Sequence, residues 1–242
     1  MLVIKDFKLR YRNSVLGFFW SLLNPLAMMA ILTVFETVVF PSSVANYPVF
    51  ILCGNLAFRF FSIATSQSLD SIVGNPSLVT KVALPRMLLV LSSNLANGLG
   101  SVLEFVTLIP VMVLLGLNLT LFAILLPLVL LLEFILIFGI SLILSSLSVF
   151  YRDFNQIWEI INQALFFLTP IWYSPDIIPP KFSLFFSLNP VERIVAATRS
   201  VLYYGRFPTE ADFVGLLVAG LLFLGVGLLI FHHYQDRFGE LV

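Results

Sequence analysis

The chain has 242 residues, of which 60% are hydrophobic and only 11% are charged, and its 13 basic and 13 acidic side chains balance to a net charge of zero. The mean hydropathy is +1.03, whereas soluble domains carry about 25% charged residues. A soluble fold is excluded, because a chain of this length could not hide so much apolar surface from water. We therefore expect an all-α protein of a bacterial inner (plasma) membrane.

Six apolar stretches approach the length of about 20 residues that a membrane-crossing helix needs. The predicted spans are residues 15–40, 47–72, 87–115, 121–149, 157–173 and 213–232. The fifth is short and contains Glu159, Asn162 and Gln163. A secretory signal peptide would have an apolar core of about 7–15 residues followed by small residues. The first stretch is longer and ends in Val39-Phe40-Pro41, which argues against one.

The first thirteen residues form a separate amphipathic segment ahead of the first span. Apolar residues recur at helical spacing on one face and basic residues recur at the same spacing on another. The apolar positions are Ile4, Phe7 and Tyr11, and the basic positions are Lys5, Lys8 and Arg12. Such a helix lies in the headgroup layer of a membrane. It would serve either as an anchor to anionic lipid or as a docking element for a cytosolic protein.

Basic residues indicate the orientation of the spans. Six spans place both termini on one side of the membrane. The basic residues of that side are Lys5, Lys8, Arg10, Arg12, Lys81, Arg86, Arg152 and Arg237. The other side has four basic residues, all in one long loop: Lys181, Arg193, Arg199 and Arg206. Cytoplasmic loops are enriched in Lys and Arg, so we predict that both termini are cytoplasmic.

The long loop, residues 174–212, is too long to lack secondary structure. Asn189 is an N-cap residue with Pro190 at the first helical position, so a helix is predicted to begin there. Its apolar stripe is Val191, Ile194, Val195, Thr198, Val201 and Leu202. A second short helix is expected within residues 174–188, between the prolines. The pair would form a lid at an outer exit or pack at the membrane interface alone.

Polar side chains form stripes on the second and third predicted spans. They recur at steps of three and four residues, so each stripe occupies one helix face. The stripes are Asn55, Arg59, Ser62, Ser66 and Asp70, and Asn94, Asn97, Ser101 and Glu104. A charge that faces lipid costs several kcal/mol, so we expect both stripes to face the bundle interior or a water-filled path.

Depth along the spans restricts the partner of Arg59. At a rise of about 1.5 Å per residue, Arg59, Glu104 and Glu133 all lie about 17–18 Å below the outer ends of their spans. We predict an ion pair of Arg59 with Glu104 or Glu133, and favour Glu104 because the two stripes lie on consecutive spans. The pair would either hold the bundle together or form a hydrophilic wall for a polar substrate.

Motifs of several functional classes are absent from the sequence. It contains no G-x-x-x-x-G-K-[ST] phosphate loop, which excludes ATP hydrolysis by that route. The two histidines are the adjacent pair His232 and His233, which completes neither a metal site nor a Ser-His-Asp arrangement. Nothing indicates nucleic-acid binding. We expect no metal and no catalytic residue in this chain.

Four sequence blocks follow one another along the chain. They are residues 8–25 (KLRYRNSVLGFFWSLLNP), 74–86 (GNPSLVTKVALPR), 151–157 (YRDFNQI), and 169–173 (TPIWY) followed by LNP at 188–190. In this order they resemble ABC-2-type transporter permeases, specifically the polysaccharide branch that exports O-antigen, capsule and teichoic-acid chains. The resemblance covers essentially the whole chain. Where many members have Ser-Pro before the aromatic pair, this chain has Thr169-Pro170.

The resemblance implies a permease that pairs with a second copy of itself and with two copies of a separate ABC ATPase, which bind ATP and Mg. It implies an interface helix at residues 1–13, a cytoplasmic coupling loop at residues 74–86 and gate helices within residues 174–212. The residues expected at the ATPase are Lys5, Lys8, Arg10, Arg12, Asn75, Lys81, Arg86, Arg152 and Asp153. The implied substrate is a lipid-linked glycan.

Aromatic residues complete the expected substrate path. Sugar rings stack on aromatic faces, which makes Phe35 and Tyr173 candidates, although most aromatic residues of membrane spans pack or face lipid. The residues expected along the path are Asn55, Arg59, Ser62, Ser66, Asn97, Glu104, Glu133, Phe35 and Tyr173. We interpret residues 1–242 as a single six-span domain surrounded by membrane lipid. The alternatives are an ABC-2 exporter of a drug or haem and an integral-membrane transferase.

Overall fold

The computed structural model describes residue 3 and residues 19–39, 44–81 and 84–241, and the regular structure in these ranges is helical throughout. Five of these helices are long and apolar enough to cross a membrane. They are α1 (Phe19–Val38), α2 (Tyr47–Val73), α4 (Met87–Leu114), α5 (Leu126–Phe150, after a 3-10 turn at Leu121–Leu125) and α9 (Glu210–Tyr234). The others are α3 (Pro76–Lys81), α6 (Phe154–Leu168), α7 (Ser183–Ser187), α8 (Pro190–Leu202) and α10 (Phe238–Leu241).

The helices form a bundle whose two ends are marked by hydrogen bonds between distant parts of the chain. At one end, the Tyr47 hydroxyl at the start of α2 donates to the Trp172 carbonyl oxygen after α6, at 2.6 Å. At the other end, Asn155 Nδ2 in α6 donates to Asp70 Oδ1 in α2, at 3.2 Å. We call these the α8 end and the α3 end, after the short helix at each.

Helix α2 is the centre of the bundle and packs against α1, α4, α5, α6 and α8. Its first turns are completely buried, as Val49, Leu52 and Cys53 show. Pro48 in the first turn suits a helix start, because its fixed φ matches the helix and its missing N–H would be unpaired there. Lipid tails are as apolar as these side chains, so packing contacts and polar links, rather than the hydrophobic effect, hold neighbouring helices together.

Helices α5 and α9 touch backbone to backbone at two glycines. A Cβ atom placed on Gly227 would lie 2.3 Å from the carbonyl oxygen of Gly139, and one on Gly139 would lie 2.4 Å from the amide nitrogen of Leu224. Small residues permit this close approach and are typical of contacts between membrane helices.

Helix α6 departs most from the predicted spans. The fifth span was expected at residues 157–173, but the helix runs over Phe154–Leu168 and has only 15 residues. Thr169 is extended, with φ −95° and ψ 135°, because Pro170 disfavours a helical conformation in the residue before it. The chain reaches the α8 end through this extended segment. The other predicted spans agree with the helices to within a few residues wherever both are described.

Helix α8 begins as predicted, and Asn189 Oδ1 accepts a hydrogen bond from the Val191 amide at 3.0 Å. All six residues of its predicted apolar stripe are buried. It packs against α2, α5 and α9 rather than lying free at an interface. The second short helix expected before it is divided by the prolines into two 3-10 turns, Pro175–Ile177 and Pro180–Phe182, and the five-residue α7.

Candidate functional site: a polar seam along helix α2

One side of the polar stripe on α2 is bonded to α4. Arg59 Nε lies 3.3 Å from Glu104 Oε2, and their side chains are 16% and 7% exposed. Further along the same two helices, Asn97 Nδ2 donates to Gln67 Oε1 at 2.9 Å. The predicted pairing of Arg59 with Glu104 rather than Glu133 is therefore confirmed.

The other side of the stripe is bonded to α6. Asn162 Nδ2 donates to Ser66 Oγ at 3.0 Å, and Trp158 Nε1 donates to Thr65 Oγ1 at 3.2 Å. With the bond from Asn155 to Asp70, these links follow α6 from one helical turn to the next. The bonds of Trp158 and Asn162 each give a donor inside the bundle a partner. An unpaired donor there would be costly, because water is absent.

We call the residues joined by these bonds on α2, α4 and α6 the polar seam. They are Arg59, Thr65, Ser66, Gln67 and Asp70 on α2, Asn97 and Glu104 on α4, and Asn155, Trp158 and Asn162 on α6. Sequence reasoning did not find the α6 members, or Thr65 and Gln67 on α2. Asn155, Trp158 and Asn162 recur at steps of three and four residues, the same spacing that revealed the stripe on α2. That spacing was a usable signal, but Asn162 was taken only as a polar interruption of a weak span. In the structure the Asn162 side chain bonds the short helix α6 to the central helix α2.

The remaining residues of the expected substrate path take no part in the hydrogen bonds of the polar seam. Asn55 and Ser62 are on α2, buried and half-buried respectively. Glu133 on α5 is fully buried, and its carboxyl oxygens have no hydrogen-bond partner within the described part of the chain. Phe35 on α1 is 40% exposed, and the Tyr173 hydroxyl donates to the carbonyl oxygen of Phe167 at 3.2 Å.

The space beside the seam is too small for a substrate. The cavity bounded by Arg59, Asn97, Ser101 and Glu104 measures about 10 Å³, which is close to the minimum of about 10–15 Å³ that a single water molecule needs. The seam is therefore a closed, hydrogen-bonded wall within a single protomer. It can present polar groups to a path, but it does not enclose one.

A second group of expected site residues lies at the α3 end. Lys81, Arg152 and Asp153 are exposed there, in and near the short connections between helices. Asn75 Nδ2 donates to the Ser71 carbonyl oxygen at 3.0 Å. Arg86 is half-buried, and its guanidinium donates to the carbonyl oxygen of Gln235 after α9. The expected contacts Lys5, Lys8, Arg10 and Arg12 lie outside the described residues.

At the α8 end the structure buries Arg199, one of the four basic residues of the long loop at residues 174–212. Arg199 is only 3% exposed, and its guanidinium carbon lies 3.5 Å from the centroid of the Phe50 ring. Its guanidinium donates to the carbonyl oxygens of Phe50, Pro170 and Ile171. Burial lowers the pKa of Arg199 to about 10, so the side chain remains charged at neutral pH.

Metal ligation has no candidate in the described ranges, where no three His, Cys, Asp or Glu side chains come together in a way that would hold an ion. The polar seam contains amides, hydroxyls, an indole, the Asp70 carboxylate and one ion pair. This set of groups binds and positions, and it includes no nucleophile paired with a general base.

The amino-acid sequence is similar to those of known transport proteins. Residues 1–203 match the family model described as ABC-2 type transporter. The chain is 32% identical to the O-antigen export system permease protein RfbA of Klebsiella pneumoniae, over 98% of this chain and 92% of that protein. It is 29% identical to RfbA of Myxococcus xanthus, over 99% and 93% of the two chains. It is 23% identical to the polysialic acid transport protein KpsM of Escherichia coli, over 97% and 92%. This chain belongs to the ABC-2 type transporter family.

Proposed function

We propose that the chain is the membrane-spanning subunit of an ATP-driven exporter that moves a lipid-linked, O-antigen-like polysaccharide across the bacterial inner membrane. The observation that carries this proposal is the similarity to O-antigen export permeases along 98% of the chain. The printed names of the related proteins refer to O-antigen and polysialic acid. An exporter of drugs or haem and a membrane transferase have no comparable support.

The exporter would be a homodimer with the polysaccharide path between its two copies. The exposed face of α6 combines Glu159 and Gln163 with Ile160 and Phe167. A carboxylate on that face would be costly against lipid, which favours a partner copy or a wet path beside it. The polar seam lies directly behind α6, and the cavity beside its Arg59–Glu104 pair is too small for a polymer.

In this proposal α6 and the extended segment after it complete a sixth crossing, so both termini are cytoplasmic. The α3 end then faces the cytoplasm and receives two ATPase subunits. The exposed residues Lys81, Arg152 and Asp153 form part of the contact, together with the basic segment at residues 1–13. ATP binding would close the ATPases, and α3 would transmit the force to the spans.

Inactivating the gene in its source bacterium tests the proposal. We expect the surface polysaccharide to disappear and its lipid-linked form to accumulate inside the cell, measured by surface labelling and lipid extraction. The complementing protein should co-purify with an ABC ATPase. Normal surface polysaccharide in the mutant, or a purified protein without an ATPase, contradicts the proposal.

Charge reversals at the α3 end test the coupling surface separately. Lys81→Glu and Arg152→Glu should reduce export and co-purification of the ATPase without lowering the melting temperature, because both side chains are exposed. Lys181→Glu, an exposed lysine at the α8 end, is the matched control and should retain both. Equal losses in all three variants would argue against a specific contact at the α3 end.

A further inference from the structure

A cavity of about 290 Å³ lies at the α8 end, away from the polar seam. Its wall is formed by residues of the segment after α6 and the 3-10 turn that follows it, of α8 and the connection after it, and of the start of α9. Its polar lining consists of Asp176, Glu192, Arg199, Ser200, Arg206 and Asp212. We propose that this cavity binds one neutral sugar residue of the exported polysaccharide, an inference that rests on the proposed function.

The wall of the cavity is held in place by contacts that do not depend on a ligand. Arg199 is fixed by the Phe50 ring and by three carbonyl oxygens. Asp212 accepts a hydrogen bond from Arg193 Nη1 at 2.8 Å, and Arg193 Nη2 also donates to the Ser187 carbonyl oxygen at 2.8 Å. A wall arranged in advance binds more tightly, because less conformational entropy is lost when the ligand enters.

The polar lining fits a neutral polyhydroxyl compound. Sugar hydroxyls both donate and accept hydrogen bonds, whereas carboxylates accept them and guanidinium groups donate them. The cavity supplies both kinds, with three carboxylates and two guanidinium groups around one space. A phosphate would meet the three acidic side chains, and an acyl chain would offer no hydrogen-bonding group to the polar lining. Each of these alternatives is less favourable than a sugar.

The remaining lining offers apolar surface for the carbon face of a sugar ring. Pro170, Pro175 and Val195 form one part of it, and the Tyr204 ring forms another. Tyr204 is 48% exposed, and the Arg206 guanidinium carbon lies 4.9 Å from its ring centroid. The volume is near the lower limit of about 300 Å³ for small-molecule sites, so the cavity suits one sugar residue rather than a longer segment.

Saturation-transfer NMR on the complete transporter in nanodiscs tests the inference. The probes are the methyl glycosides of glucose, galactose, mannose and rhamnose, with inorganic phosphate as a separate probe. We expect saturation transfer to at least one glycoside and no phosphate binding. Ala196→Leu fills the cavity and should reduce the glycoside signal at least fivefold. Ala211→Leu makes the same change at an exposed position of α9 outside the lining and should leave the signal unchanged.

Arg206→Gln provides a second variant at an exposed residue of the lining and should also weaken the signal. Gel filtration and the melting temperature establish that each variant is folded. Absence of glycoside binding, equal binding to all variants, or phosphate binding that Ala196→Leu removes would each overturn the sugar site. If wild-type protein restores export but binds no glycoside, the sugar site alone is wrong. If it does not restore export, the proposed function is wrong.

Discussion

The Arg199 guanidinium lies over the face of the Phe50 ring, at 3.5 Å, and donates to the carbonyl oxygen of the same phenylalanine. The same guanidinium group also binds Pro170 and Ile171, in the extended segment that follows α6. One side chain therefore joins α8, α2 and the end of α6. Stacking of this kind contributes about 2 kcal/mol or more when the cation is desolvated.

Replacing Arg199 with Gln should destabilise the protein by about 2–4 kcal/mol, because it removes the cation and leaves buried carbonyl oxygens without donors. Thermal unfolding in detergent measures this loss. Arg152→Gln changes an exposed arginine and should alter the stability by less than about 0.5 kcal/mol. An Arg199→Gln protein as stable as the Arg152→Gln control would show that the buried contacts of Arg199 do not hold α8 in place.

The contact between α5 and α9 predicts opposite effects at two glycines of one helix. Gly227→Ala should lower the stability, because the new Cβ would lie 2.3 Å from the Gly139 carbonyl oxygen and force the helices apart. No neighbouring atom lies within 4 Å of a Cβ placed on Gly225, so Gly225→Ala should gain up to about 1 kcal/mol from its higher helix propensity. Melting temperatures compare the two variants, and equal changes would contradict the close approach.

Breaking the Arg59–Glu104 pair should be costly. Arg59→Met leaves the Glu104 side chain, which is 7% exposed, without its guanidinium partner. The loss of one partner of a buried pair costs about 3–5 kcal/mol. The double exchange Arg59→Glu with Glu104→Arg should recover part of that stability, measured by thermal unfolding and expression level. If Arg59→Met is as stable as wild type but does not export, the pair acts on the substrate path rather than on the fold.

The raised pKa of Glu192, at the α8 end, predicts that the stability of the protein depends on pH. Burial, assisted by the nearby Asp212, raises the pKa of Glu192 from 4.5 to about 7, and Arg193 and Arg199 oppose the shift. Between these values the folded state holds a proton that the unfolded state has lost, so the stability falls as the pH rises through this window. The fall is at most about 3 kcal/mol, at about 1.36 kcal/mol per pKa unit.

The variant Glu192→Gln isolates this effect, because it removes the titration and keeps the shape of the side chain. We expect the melting temperature of wild type to fall more steeply between about pH 5 and pH 7 than that of the variant. Parallel pH profiles would show that Glu192 is not protonated in the folded protein at the lower pH.

Periodicity in the sequence was enough to locate most helices and part of the polar seam. The steps of three and four residues placed each polar stripe on one face of its helix, and the rise per residue placed Arg59 and Glu104 at one depth, where the structure pairs them. In a membrane an arginine has few possible partners, because polar groups in the interior must pair with other polar groups at the same depth. Helical spacing also predicted the apolar stripe of α8, and all six of its residues are buried.

What the sequence determined by itself was therefore a helical membrane bundle and the Arg59–Glu104 ion pair, since these follow from composition and from spacing along the helices. The resemblance to a family rested on four sequence blocks instead. The tertiary structure decided which distant segments meet. It set the Asn162 bond to Ser66 and buried Arg199 against Phe50. These contacts join residues 96 and 149 positions apart. No local pattern encodes such separations, because they follow from how the helices pack.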